Sequence, residues 1–294
     1  MVLNLPASVE MTSGTGSLQM IRLSTIAGSA EIFLHGAHLA SWSPAGEEPV
    51  IWMSSANRFE RSAPIRGGVP ICFPWFGMKA GQPRAPQHGF ARISGWELIG
   101  ALESADTLSV QLRLVDTEES RASAWPSRFE ATYSVTLGAE LTLRLDVTNR
   151  DRTAFSFEEA LHTYYAVSDS RQATVHGLEN HTFLAKGATE VASEAEPVLI
   201  GDGISRKYTS ASAASIVDGS RTIHTRAAGA SGGVLWNPGA EIARDMADFA
   251  DDEWTRTVCF EPTNIAETAV WLEPGETHSM SVVISVENAP GPNR

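Results

Sequence analysis

The stretch Leu141-Thr142-Leu143-Arg144-Leu145-Asp146-Val147 alternates apolar and polar residues at every step. Because successive side chains of a β-strand point to opposite faces, this period of two predicts a strand with one buried face and one solvated face. The same alternation runs through residues 108–114 and 280–286. Turn-forming residues precede two of these runs, Gly138-Ala139 before the quoted stretch and Pro274-Gly275-Glu276 before the last one.

Helical periodicity is weak by comparison. The best candidate is the acidic stretch 240–250, which predicts one or two helical turns. Many strands with short polar turns, spread evenly along the chain, predict an all-β protein built as a large antiparallel β-sandwich. Since no linker, repeat or low-complexity tract divides the sequence, we expect a single domain over residues 1–294. In such a fold, residues that are far apart in sequence meet on a sheet face or at its rim.

Composition favours a globular protein over a membrane-spanning or secreted one. Hydrophobic residues make up 43% of the chain, enough for a sizeable core, and no apolar run approaches the roughly eighteen residues of a transmembrane helix. The first residues, Met1–Pro6, lack the basic and apolar blocks of a secretory signal, so we expect a cytoplasmic protein that does not bind membranes. The two cysteines, Cys72 and Cys259, are then expected to be buried thiols rather than a disulfide.

The charge distribution is uneven. A formal net charge of −13 disfavours binding to nucleic acid, yet residues 58–92 contain six basic residues and a single acidic one, Glu60. The six are Arg58, Arg61, Arg66, Lys79, Arg84 and Arg92. This cluster is either a solvated surface stripe or a pocket for a small anion. Arginine suits a pocket because its planar guanidinium matches the oxygens of a phosphate group.

Two of the segments that depart from the strand pattern lie in this basic region. Residues 66–77 (RGGVPICFPWFG) place two glycines after an arginine, which lets backbone approach closely, and two prolines that interrupt a strand ladder. Their rings and arginine suit a sugar phosphate, but a packed aromatic loop has the same composition. Residues 86–92 (PQHGFAR) hold His88 between Arg84 and Arg92, where it is either a turn residue or a ligand-binding one.

Two further segments each carry one ionisable residue in apolar surroundings. His162 lies near the middle of residues 157–165 (FEEALHTYY), which predict a strand, and it is either a structural or a functional histidine. Glu261 ends the apolar strand 258–262 (VCFEP). A buried carboxylate is costly when unpaired, so Glu261 needs a partner or a raised pKa.

Taken together, these segments resemble the glucose-6-phosphate 1-epimerase branch of the aldose 1-epimerase family, which has a galactose mutarotase-like β-sandwich fold. The matches occur in the family's order and span most of the chain. They are the runs 66–77 and 87–92, Trp96, Leu161-His162-Thr163-Tyr164, Trp236-Asn237-Pro238 and Cys259-Phe260-Glu261-Pro262.

The resemblance implies a role for each matching residue. His162 corresponds to the general acid of the family and Glu261 to its general base. Residues that bind the substrate would come from the basic region: Gln87 and His88 for the sugar, and Arg66, Arg84 and Arg92 for the phosphate.

One motif departs from the family. Where the family often has an aspartate that contacts sugar hydroxyls, followed by arginine, any residue and tyrosine, this chain reads Ser205-Arg206-Lys207-Tyr208. Asp202 lies three residues earlier and is the candidate to replace that carboxylate. The departure concerns which hexose is preferred and leaves the acid–base pair unaffected.

The resemblance implies an isomerase that interconverts the α and β anomers of a hexose 6-phosphate. Because only protons move, we expect no metal and no cofactor; His35 and His38, three residues apart, would point to opposite faces of a strand. Two alternatives remain, an epimerase of unphosphorylated aldoses and a non-catalytic sugar-binding protein of the same fold. We expect a small-molecule partner and a monomer.

Overall fold

The computed structural model describes residues 3–219 and 221–288. Strands make up most of the regular structure there. In chain order they are β1 (Val9–Ser13), β2 (Gln19–Thr25), β3 (Gly28–Phe33), β4 (His38–Pro44), β5 (Ile71–Cys72), β6 (Glu97–Glu103), β7 (Leu108–Val115), β8 (Phe129–Leu137), β9 (Leu141–Asn149), β10 (Phe155–Phe157), β11 (Glu159–Leu161), β12 (Tyr164–Ala166), β13 (Thr174–His176), β14 (Phe183–Ala185), β15 (Val198–Leu199), β16 (Ile204–Tyr208), β17 (Ala213–Asp218), β18 (Arg221–Ala228), β19 (Gly232–Asn237), β20 (Thr257–Asn264), β21 (Val270–Leu272) and β22 (Thr277–Asn288).

Helices are few and short in the described residues. The α-helices are α1 (Glu118–Arg121) and α2 (Gly239–Asp245), and the 3-10 helices span Thr15–Ser17, Ala91–Ile93, Glu253–Arg256 and Ala266–Thr268. Helix α2 confirms the prediction of one or two turns after residue 240. None of the helices in the described ranges is both long and apolar enough to cross a membrane.

Two large antiparallel sheets form the sandwich. A nine-stranded sheet has the order β15-β13-β17-β18-β22-β9-β8-β7-β6, and a seven-stranded sheet has the order β14-β16-β19-β20-β11-β5, with β12 also paired to β20. Strands β1 to β4 form a four-stranded sheet, and β10 pairs with β21. The all-β antiparallel sandwich predicted from the alternating runs is therefore confirmed.

The alternation in β9 shows why the two sheets pack. Leu141, Leu143, Leu145 and Val147 are each 0% exposed and belong to the main core, whereas the polar residues between them are partly or fully exposed. The seven-stranded sheet contributes Leu235 and Phe260 to the same core. Burying a side chain of this kind contributes about 1.5–3 kcal/mol, and the core collects dozens of them.

The main core draws residues from Val9 to Ile284. The single-domain organisation stays a prediction. Cys72 and Cys259 are both buried and free, which confirms the expectation of thiols.

Candidate active site

His162 and Glu261 face each other across neighbouring strands. Strands β11 and β12 pair with β20 in one continuous register, with Ala160 opposite Thr263 and Tyr164 opposite Cys259. Continuing that register across residues 161–163 places His162 directly opposite Glu261. Side chains at directly opposed positions lie on the same face of a sheet, with Cβ atoms about 4.5–5.5 Å apart. The fold therefore brings together two residues that are almost a hundred positions apart in sequence.

His162 lies in a break between β11 and β12, so the prediction of a continuous strand through residues 157–165 is wrong at this point. A physical reason lies on the opposite strand, where Pro262, opposite Leu161, has no N–H to donate to the Leu161 carbonyl. That carbonyl instead accepts from the backbone N–H of Thr163 at 2.8 Å, while the N–H of His162 donates to the carbonyl of Pro70 on the other side at 3.0 Å.

The two ionisable groups are close and buried. His162 Nε2 lies 3.4 Å from Glu261 Oε1, and the residues are 7% and 1% exposed. Glu261 Oε2 and His162 Nδ1 are buried without a hydrogen-bond partner among the described residues. Because an unpaired buried polar atom is unfavourable, the site holds hydrogen-bonding capacity that a ligand can use.

Burial sets the protonation of this pair. It raises the pKa of Glu261 well above its ordinary value of 4.5, against the opposing charges of Arg92 and Lys207. Burial also lowers the pKa of His162 well below 6.5, and its electrostatic interactions with His88, Arg92 and Arg66 lower it further. The uncharged pair, a carboxylic acid beside a neutral imidazole, is therefore favoured.

Aromatic side chains enclose the His162 imidazole on several sides. Tyr164 stacks on it, with ring centroids 4.8 Å apart and planes at 12°. The rings of His88 and Trp236 meet it edge-on at 5.7 and 5.8 Å. These contacts fix the orientation of the imidazole, as a proton-transferring group requires.

His88 is held in an unusual backbone conformation. Its φ is +62°, in the left-handed region that non-glycine residues rarely adopt. The backbone N–H of Gly77 donates to His88 Nδ1 at 3.3 Å, which selects the neutral tautomer with a proton on Nε2. Burial first, then the charge of Arg92, lowers the pKa of His88 to about 3. His88 is therefore a neutral hydrogen-bond donor beside His162.

Gly67 and Gly68 allow the chain after Arg66 to pass close to neighbouring backbone. Their φ angles are +94° and +63°, and a Cβ on Gly68 would lie 2.2 Å from His38 Nε2. Arg66 is thereby placed beside the His162–Glu261 pair, where its Nη1 donates to the Tyr164 hydroxyl at 2.9 Å. Its Nε and Nη2 both donate to Asp248, each at 3.2 Å.

Arg92 has more unused donors than the partly buried Arg66. It is 8% exposed, and within the described part of the chain its guanidinium makes one hydrogen bond, from Nη2 to the carbonyl of Gln87 at 2.7 Å. A guanidinium carries five N–H donors, so Arg92 retains several for an anion. Gln87 and Arg84 lie exposed in the preceding loop.

Asp202 lies apart from the His162–Glu261 pair. It is exposed in the turn before β16 and lines a cavity of about 680 Å³ together with Arg206 and Glu241. Trp236 borders that cavity and also touches His162 edge-on. The structure thus brings His162, Glu261, His88, Arg66 and Arg92 together but does not bring Asp202 to them.

Sequence reasoning missed several residues of the site. Asp248 lies three residues beyond α2, in the stretch predicted as helix, and no pattern linked it to Arg66. Tyr164 belongs to the motif Leu161-His162-Thr163-Tyr164, but the sequence predicted no role for it. The period-two spacing of its strand puts Lys207 on one face of a sheet. Which residues of neighbouring strands lie beside Lys207 depends on the strand register, which the sequence does not give.

Comparison with known proteins identifies the family of the chain. The sequence profile of the aldose 1-epimerase family matches residues 19–285. A protein of Escherichia coli (strain K12) named "Putative glucose-6-phosphate 1-epimerase" is 34% identical over 249 residues, which cover 81% of this chain and 81% of that protein. A protein of the same name from Cenchrus ciliaris is 33% identical over 270 residues, covering 87% of this chain and 80% of that one.

A solved structure is similar over nearly its whole length. The crystal structure of a "putative mutarotase" from Salmonella typhimurium superposes with a TM-score of 0.90 at 29% sequence identity, covering 98% of this chain and 96% of that chain. With the family profile matching most of the sequence and a buried imidazole–carboxyl pair at the centre of the sheet, the chain belongs to the aldose 1-epimerase family and is an isomerase that interconverts sugar anomers.

Proposed function

We propose that this protein is a hexose-6-phosphate 1-epimerase that uses Glu261 as general base and His162 as general acid. The observation that carries the proposal is the 3.4 Å contact between His162 Nε2 and Glu261 Oε1 beside the buried Arg92 and the partly buried Arg66. In a cyclic hexose the anomeric hydroxyl and the ring oxygen are both bonded to C1. Two groups this close can therefore reach both oxygens of one sugar.

The reaction follows from moving one proton at each oxygen. Glu261, as carboxylate, takes the proton of the hydroxyl on C1, while protonated His162 donates to the ring oxygen. The bond between C1 and the ring oxygen breaks and C1 becomes an aldehyde. Rotation about the C1–C2 bond presents the other face of the carbonyl, and closure with the proton transfers reversed gives the opposite anomer. A positioned acid or base contributes roughly 10²–10⁴-fold to the rate.

The phosphate of the substrate has an electrostatic role in this scheme. Burial favours the uncharged pair, and the charges of Arg92 and Arg66 contribute to the low pKa of His162. The charge of Arg92 also lowers the pKa of Glu261, so a bound phosphate that offsets it raises the pKa of both groups. Binding a phosphorylated sugar thereby helps the pair to hold the single proton that the reaction uses.

For the phosphate itself we propose Arg92, Arg84 and Arg66 as ligands, with Gln87 and His88 on the sugar. Arg92 has unused donors, and Arg84 lies exposed in the loop that precedes it. Arg66 contributes its charge, and its paired donors become available where a phosphate oxygen displaces Asp248. The Asp202 side chain, which lines the neighbouring cavity, stays our proposal for a sugar contact at the edge of the site.

The test is the rate of exchange between anomers, measured by magnetisation-transfer NMR on glucose 6-phosphate and on glucose at catalytic enzyme concentration. We expect faster exchange for the phosphorylated sugar, and loss of that preference in Arg92→Ala and Arg84→Ala. One charge-assisted contact contributes about 1.5–3 kcal/mol, so the Michaelis constant for glucose 6-phosphate should rise by roughly tenfold or more.

The same assay separates the alternatives. Equal exchange rates on both sugars would refute the preference for phosphate and leave an epimerase of free aldoses. Binding of glucose 6-phosphate without any acceleration would indicate a sugar-binding protein, in which case Glu261→Gln would have no effect on exchange.

A further inference from the structure

A single row of side chains crosses the seven-stranded sheet through the catalytic pair. Lys207 on β16 is paired with Val234 on β19, and Val234 is paired with Glu261 on β20. The register of β20 with β11 and β12 continues the row to His162. Because directly opposed residues share a face, Lys207 emerges on the same side of the sheet as the acid and the base.

The side chain of Lys207 is long enough to reach the site. Neighbouring strands lie about 4.8 Å apart, so two spacings put its backbone roughly 10 Å from that of Glu261. Only Val234, which has a short side chain, stands between them. The flexible four-carbon stem of lysine can cross that distance with its ammonium group. In keeping with this placement, the charge of Lys207 lowers the pKa of both Glu261 and His88.

The Lys207 ammonium makes no stabilising polar contact within the described residues. It makes no hydrogen bond or ion pair there, and the residue is exposed. The adjacent Arg206 behaves differently, because it faces the other side of the strand, pairs with Glu194 at 2.8 Å and stacks over Phe183. Lys207 is therefore a free donor on the face that carries the reaction.

Lys207 and the arginines lie on opposite sides of the catalytic pair. Arg66 contacts Tyr164, and the backbone of His162 is bonded to Pro70, next to β5. Lys207 lies two strands away in the other direction, on β16. A hexose with C1 and its ring oxygen at the pair and its C6 phosphate toward the arginines must direct C2 and C3 away from them.

From this arrangement we propose that Lys207 binds the sugar and donates hydrogen bonds to the hydroxyl groups on C2 and C3. The proposal rests on the function proposed above, which fixes the direction of the sugar ring. Lys207 is a specificity residue in this account, because it recognises the part of the hexose that does not react. It favours sugars that carry acceptors at C2 and C3.

The experiment compares Lys207→Met with Lys207→Arg and a matched control, Lys186→Met. Lys186 is an exposed lysine just beyond β14 that lines the neighbouring cavity, so its replacement removes the same charge without touching the row. We expect Lys207→Met to lower kcat/KM on glucose 6-phosphate by roughly 10- to 100-fold, mainly through KM. Lys207→Arg should retain most activity, and Lys186→Met all of it. Thermal unfolding of each variant checks the fold.

Deoxy sugars identify the contact. On 2-deoxyglucose 6-phosphate or 3-deoxyglucose 6-phosphate, the penalty of Lys207→Met should shrink to less than about threefold for at least one analogue, because the hydroxyl that lysine binds is already missing. An undiminished penalty on both analogues, or no penalty on glucose 6-phosphate, would overturn the proposal. A penalty that disappears on unphosphorylated glucose would overturn it too, since Lys207 would then bind phosphate.

Failure of the proposed function would give a different result. The wild-type protein would then exchange the anomers of glucose 6-phosphate no faster than those of glucose, or would not accelerate their exchange at all. In that event the same variants are measured on glucose, 2-deoxyglucose and 3-deoxyglucose, and the same comparison supports or refutes the contact with C2 and C3.

Discussion

Arg66 donates from Nη1 to the hydroxyl of Tyr164 at 2.9 Å, and the ring of Tyr164 lies flat against the imidazole of His162. Asp248 holds the same guanidinium through two further hydrogen bonds of 3.2 Å. The orientation of the proposed general acid is therefore coupled, through one aromatic ring, to an arginine proposed to bind phosphate. This coupling makes the separate parts of the site testable by single substitutions.

Tyr164→Phe should retain the stack and lose only the hydroxyl. We expect kcat to stay within about threefold of wild type and the free energy of unfolding to fall by about 0.5–1.5 kcal/mol, the usual contribution of one hydrogen bond. Tyr164→Leu removes the ring and should lower kcat by roughly tenfold or more, because the imidazole loses its support. Steady-state anomer exchange and thermal unfolding measure both quantities. Equal kcat losses in the two variants would show that the ring does not orient His162.

Asp248→Asn should improve binding of the phosphorylated substrate. The carboxylate of Asp248 occupies two donors of Arg66 that fit a phosphate, and its charge opposes an incoming anion. We expect KM for glucose 6-phosphate to fall by about two- to fivefold, while KM for glucose is unchanged. A rise in KM for both sugars would instead identify Asp248 as a sugar ligand, contrary to the account.

Glu261→Gln should stabilise the protein at neutral and alkaline pH. Burial raises the pKa of Glu261 above its ordinary 4.5, so the folded state keeps a proton that the unfolded state releases. The stability that this group contributes is complete below about pH 4.5 and decreases as the pH rises toward the folded-state pKa. Glutamine has no such dependence, because its amide does not ionise.

Unfolding measured from pH 5 to pH 9 should therefore show a growing advantage of Glu261→Gln over wild type, reaching about 0.5–2 kcal/mol. His162 contributes the opposite dependence, present above pH 6.5 and lost as the pH falls, because its pKa is lowered in the folded state. That dependence lies below pH 6.5, so the advantage of Glu261→Gln is read from the difference above that pH. An advantage that does not change with pH would contradict the raised pKa of Glu261.

The pH profile of kcat should differ between phosphorylated and free sugar. The working state holds one proton on the His162–Glu261 pair, so activity falls on the alkaline side when that proton is lost. Phosphate offsets the positive charges of Arg92 and Arg66, which lower the pKa of His162. The alkaline limb should thus lie at higher pH with glucose 6-phosphate than with glucose. Coincident limbs, after correction for uncatalysed exchange, would exclude this electrostatic role.

Sequence patterns were sufficient to predict the antiparallel β-sandwich architecture. The strict alternation of residues 141–147 appears as β9, and its apolar residues form part of the core between the two sheets. The short helix after residue 240 also appears, as α2. Both follow from local periodicity, which depends only on neighbouring residues and on burial of one face.

The geometry of the site depended on pairing between distant strands. His162 was predicted within a strand, but the ladder breaks just after Leu161, which lies opposite Pro262. Only the register of β11 and β12 on β20 shows that His162 faces Glu261. Lys207 joins the same row through two further strands. Asp248 pairs with Arg66 across 182 positions of sequence. The periodicity of a single segment does not show which residues of distant strands face each other.

The central claim is that His162 and Glu261 act as one acid–base pair on a single sugar. Magnetisation-transfer NMR of glucose 6-phosphate with His162→Ala, Glu261→Gln and the double variant tests it most directly. We predict that each single substitution lowers kcat by roughly 10²–10⁴-fold and that the double variant is little worse than either one, because each group is useless without the other. Near-normal exchange in either single variant, or losses that multiply in the double variant, would contradict the account.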